Sequence, residues 1–107
     1  MERAEPTPIA CTLDAAGARA QLDEWTALRP LCRRTDVTAA GATLWFDPEA
    51  DDAVRTVAAK EAACCGFLRL EVRGDAGLVR LDITSDRPEA LPVIDLLARQ
   101  TAGRAAE

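Results

Sequence analysis

The chain has 107 residues, 49% hydrophobic and 29% charged, with a net charge of −5. That length fits one domain able to bury a core without a disulfide staple. The acid excess and the single basic doublet, Arg33-Arg34, argue against a nucleic-acid partner, and no apolar run approaches the ~20 residues of a membrane span.

Residues 1–7 carry acids and prolines but no long apolar stretch. They read as a disordered lead-in rather than a signal peptide, which makes a cytoplasmic location with reduced thiols the expectation. Ile9 to Thr12 is predicted as a short buried strand containing Cys11. Asp14 then caps a helix from Ala15 to Leu28, with Ala18, Leu22 and Trp25 on its inner face. Arg29-Pro30 stops it, because the residue before proline is pushed out of the helical region. Strands follow at Cys32–Thr38 and Ala42–Phe46, around Ala39-Ala40-Gly41. Alternation puts Leu44 and Phe46 on the core side and Trp45 on the other, where an exposed Trp hints at a homodimer contact or the underside of another helix.

Asp51 or Asp52 is expected to cap a second helix that runs to about Cys65, with Gly66 as its stop. Its inner stripe is Val54, Val57, Ala58, Glu61 and Cys65. Phe67–Arg73 and Leu78–Thr84 form a hairpin around Gly74-Asp75-Ala76-Gly77. Ser85 or Asp86 caps a last helix, most secure over Val93–Arg99, with Pro88 in its first turn. The domain reading is thus a lead-in over 1–7, one α+β domain over 8–101 and a frayed tail over 102–107.

The order β-α-β-β-α-β-β-α predicts an α+β fold, a ferredoxin-like split βαββαβ sandwich with an extra C-terminal helix. In that topology the end of the first strand and the end of the second helix share one edge of the sheet. Cys11 then converges with Cys64 and Cys65, and Cys32 lies at the opposite edge.

The four cysteines come without any histidine. Glu61 precedes Cys64 by three residues and Cys65 by four, so the three share neighbouring helix surface. A carboxylate on an apolar stripe costs several kcal/mol unless it is paired or bound. Glu61 is therefore read as a ligand, a proton acceptor for a thiol, or a partner of the ligands. The plainer alternative has it reaching solvent beside Lys60 or Arg69, with the cysteines packed as small hydrophobes. Cys11, in a turn leading into a helix, would have its thiolate favoured by the helix dipole. Three thiolates suit As(III), Hg(II) or Cu(I), and Zn(II) would take Glu61 as a fourth ligand. No Cys-x-x-Cys and no glycine-rich phosphate loop is present. The expected partner is a soft metal ion held by Cys11, Cys64, Cys65 and Glu61, for sequestration, delivery or sensing. The alternative is a thiol-dependent enzyme, cleaving organomercurials or cycling thiols, with Glu61 as the candidate catalytic acid.

Ile9 to Leu13, Trp25, and Glu61-x-x-Cys64-Cys65-x-Phe67 followed by a hairpin, with Val93 to Leu97 near the end, resemble a small bacterial family. Its members stand alone or sit behind MerR-type regulators, in the setting of heavy-metal resistance. The resemblance implies handling of thiophilic metals such as mercury or arsenic. This chain, lacking a helix-turn-helix, would be the stand-alone form.

Overall fold

The computed structural model describes residues 15–102, with side chains from residue 20 onward. The predicted strand over 9–12, Cys11, the Asp14 cap, the inward placement of Ala18 and both terminal segments lie outside what is described.

The elements are α1 (Ala15–Ala27), β1 (Cys32–Thr38), β2 (Gly41–Phe46), α2 (Asp51–Cys64), β3 (Arg69–Asp75), β4 (Leu78–Thr84) and α3 (Leu91–Thr101). Single 3-10 turns at Pro48–Ala50 and Pro88–Ala90 run directly into α2 and α3. Proline suits such an entry, since its φ is preset and its missing N–H would have had no partner. These turns displace the expected caps. Ala50 is the N-cap of α2, and Asp51 and Asp52 lie in its first turn, where carboxylates favour the helix dipole. Ser85 instead holds the approach to α3: it donates to the Phe67 carbonyl (2.7 Å) and accepts the Arg87 N–H (3.1 Å).

Among the described residues, four strands form one antiparallel sheet in the order β1-β2-β4-β3. Gly41 opens β2 at φ 154°, and a Cβ there would stand 2.0 Å from the Ile83 carbonyl oxygen, so the β2–β4 pairing requires glycine. β3 runs on through Asp75, leaving a two-residue turn at Ala76 and Gly77 with φ of 55° and 83°. That is the positive-φ pair favoured in tight hairpins.

The helices cover one face, where Leu44, Phe46, Leu81, Ile83, Val54, Ile94 and Trp25 are buried. This is an α+β architecture consistent with a ferredoxin-like sandwich carrying a C-terminal helix. In the split βαββαβ order the inner place beside the second hairpin strand belongs to the strand that opens the chain. Here Leu78–Thr84 fills it. The alternation of Val79, Leu81 and Ile83, all buried, makes β4 the apolar strand best suited to an interior place. The arginine-bearing β1 and β3 take the edges, where charge guards against stray pairing. No described helix is long and apolar enough to cross a membrane.

Candidate metal centre

Val54, Val57, Ala58 and Glu61 are the buried residues of α2, recurring at the spacing of one helix face. That face turns toward β3 and α1. Glu61 is 3% exposed, so its carboxylate belongs to the interior. The reading in which it reaches solvent beside Lys60 does not hold: Lys60 bridges to Glu24 of α1 instead (3.0 Å).

The helix ends between the two cysteines. Cys65 still donates its N–H to the Glu61 carbonyl (2.8 Å), but its φ of −124° and ψ of 78° leave the helix. On a continuing helix, adjacent side chains would point roughly 100° apart. At this break the two sulfurs come within 3.6 Å of each other. Cys65 is fully buried and Cys64 partly so.

The Glu61 carboxylate divides its two oxygens. Oε1 accepts the Trp25 indole N–H at 2.9 Å and the Gln21 amide at 3.4 Å. Oε2 lies 3.0 Å from the Cys65 sulfur. The Gln21 amide also lies 3.8 Å from the Cys64 sulfur. One donor atom from each of Glu61, Cys64 and Cys65 falls within 4.8 Å of the others, a group able to hold a metal ion. Burial, and after it the charge of Glu61, holds the Cys64 thiol above its ordinary pKa.

Cys32 and Cys64 are free thiols, whereas Cys65 is disulfide-bonded, with the other half of that bond outside the described residues. The expectation that these thiols are all reduced therefore does not hold at Cys65, and ligation by its sulfur requires the reduced form.

Three of the four predicted site residues, Glu61, Cys64 and Cys65, come together; Cys11 is outside the described residues. Cys32 stands apart at the start of β1, its sulfur beside the Arg34 carbonyl (3.6 Å) and the Thr35 hydroxyl (3.5 Å). Sequence reasoning missed Gln21 and favoured a core role for Trp25. A signal existed: a buried indole N–H needs an acceptor, and Glu61 is a buried acceptor in want of donors. Gln21 follows from Trp25, four residues earlier on the same helix face.

No protein-family model, curated protein or solved structure matches the chain.

Proposed function

We propose that the reduced protein binds a soft or borderline metal or metalloid ion through Cys64 and Cys65, with Glu61 Oε2 as an oxygen ligand and Cys11 as a further thiolate. The observation that carries this reading is the buried carboxylate whose one oxygen is held by two N–H groups while the other faces sulfur.

The donor spacing favours some ions over others. Zn–S bonds of about 2.3 Å in a tetrahedron put two sulfurs about 3.8 Å apart. The observed 3.6 Å is close to that. A linear two-sulfur ion with bonds of similar length would need about 4.6 Å, hence a rearranged pair. Once Cys65 is reduced, Zn(II) and pyramidal As(III) thus fit this sulfur spacing, while Hg(II) and Cu(I) fit if a third thiolate bends the coordination. The role is sequestration, delivery or sensing in the cytoplasm, in keeping with the resemblance to a family linked to heavy-metal resistance.

The test is titration of the dithiol-reduced protein with each of these four ions while free thiols are counted. Saturable loss of two or more thiols per ion, weakened in Cys64→Ser and Cys65→Ser, is expected. Binding that consumes no thiol, or that survives Cys64→Ser undiminished, overturns the reading.

The 3.0 Å approach of Glu61 Oε2 to the Cys65 sulfur also favours a second reading, a carbon–mercury lyase. There the thiolates take the metal and the carboxyl delivers a proton to the departing carbon. Hydrocarbon release from an organomercurial, abolished by Glu61→Gln while Hg(II) binding persists, would separate turnover from storage.

A further inference from the structure

The face of the sheet turned away from the helices is ordered in rows of charge. The strand register places Arg34, Trp45, Arg80 and Arg73 in one line across all four strands. The next line on the same face is Asp36, Thr43, Asp82 and Glu71. The two lines are two residues apart on each strand, about 7 Å.

The middle of this face is internally paired. Trp45 lies between the guanidinium groups of Arg34 and Arg80, 4.7 and 5.7 Å from its ring centre, and donates its N–H to Asp75 at 3.0 Å. Asp82 accepts from Thr43, Arg80 and Arg73 at 2.7, 3.1 and 3.3 Å. The corners are paired within the chain but remain open to solvent: Arg34 bridges to Asp36 at 3.0 Å and Arg73 to Asp82, while the side chains of Arg34, Asp36 and Arg73 are 66%, 44% and 57% exposed, and Glu71 is exposed too. Among the described residues no element covers this face.

We propose that two copies of the chain associate through it, sheet on sheet, about a twofold axis parallel to the rows and lying between them. Such a rotation carries the arginine row of one copy over the carboxylate row of the other. Arg34 then meets the second copy's Asp36, and Arg73 its Glu71, with both contacts repeated by symmetry. A twofold axis along the strands would instead set arginine against arginine, so the charges select one of the two isologous arrangements. Each face contributes three arginines and three acids in these rows, so copies that each carry a net charge of −5 meet on balanced ground. The same balance disfavours a polyanionic partner, whose phosphates would meet the acidic row beside the basic one. Stacked sheets take a spacing of about 10 Å and a modest crossing angle, compatible with long arginine side chains at the corners.

Two charge variants test this by sedimentation equilibrium across a concentration and salt series. Arg34→Glu with Arg73→Glu makes the four corners of the face acidic; Asp36→Lys with Glu71→Lys makes them basic. The wild type should be a dimer that dissociates as salt rises. Each variant alone should be monomeric, and an equimolar mixture should restore a one-to-one dimer. A second measurement needs no variant. Trp25 is fully buried, so collisional quenching of fluorescence reports on Trp45, and its accessibility should fall as wild-type protein is concentrated. A wild type that stays monomeric, a dimer indifferent to both variants, or a mixture that fails to associate overturns the proposal. So does a monomer whose Trp45 is already shielded, which would mean that another segment of the chain occupies the face.

Discussion

The two oxygens of Glu61 are in different company, and this asymmetry sets the chemistry of the centre. Oε1 is held by Trp25 and Gln21, and Oε2 lies 3.0 Å from the Cys65 sulfur. Trp25→Phe keeps the ring and deletes the N–H. It should cost about 1–3 kcal/mol of stability, measured by urea unfolding, because a buried acceptor loses its best donor. In metal titrations the same variant should bind about 10–100-fold more weakly, the usual effect of losing a partner that orients a ligand. Unchanged affinity would remove Trp25 from the centre. Cys64 supplies a pH argument. Burial and the Glu61 charge raise its thiol, so the folded state retains that proton where the unfolded chain has released it. The stabilisation is complete below the unfolded thiol pKa and is lost as pH rises through the folded one. Alkylation of Cys64 should accelerate only above the ordinary thiol range, and Glu61→Gln should move that onset down. Metal affinity should climb over the same span, because binding displaces the proton. The spacing of Glu61, Cys64 and Cys65 could be read from the chain because one helix turn sets it. Gln21 could not, because it meets Glu61 only through the packing of α1 on α2.

Elements were legible where periodicity is strong and misjudged where a turn intervenes. The alternation of Val79, Leu81 and Ile83, and of Leu44 and Phe46, located β4 and β2 almost to the residue. The caps were misplaced because Pro48-Glu49-Ala50 and Pro88-Glu89-Ala90 each insert one tight turn ahead of the helix. An Asp or Ser before a helix is a weaker signal than a proline three residues ahead of its first residue. The hairpin turn is shorter than the Gly74 to Gly77 stretch suggested, because Gly74 and Asp75 remain paired in β3. Gly41 is the backbone position with least freedom. Gly41→Ala should cost about 3 kcal/mol or more, since the new methyl group would overlap the Ile83 carbonyl at an unfavourable φ. Thermal unfolding would show it as a lowered midpoint. A midpoint unchanged from wild type would mean that β2 and β4 can part slightly without loss.

At the scale of the whole molecule, the order of helices and strands disclosed the fold class, whereas the lateral order of the sheet did not follow from it. Which strand lies inside depends on competition among apolar strands for two inner places, and β4 holds one of them. The inference that Cys11 meets Cys64 and Cys65 was drawn from the split βαββαβ order, and Cys11 lies outside the described residues. The open face also links the molecule to acidity. Asp75 is held below the ordinary carboxylate range, first by the Trp45 hydrogen bond and, among its charge partners, by Arg80. The stability it contributes is present above the unfolded carboxylate pKa and lost as pH falls through the folded one. Asp75→Asn should therefore flatten the acid limb of the stability curve while sparing the alkaline limb. An acid limb as steep as that of wild type would sink this assignment.

Because α2 releases the chain between its two sulfurs, one thiol rides on a stiff rod and its neighbour on the hinge that feeds β3. An ion gripping both would weld rod to hinge. Cargo would then register as a loss of motion at Gly66 and Phe67, slowing amide exchange there while the distant β1–β2 hairpin continued to breathe as before. Occupancy in such a protein would be legible as rigidity at a single joint.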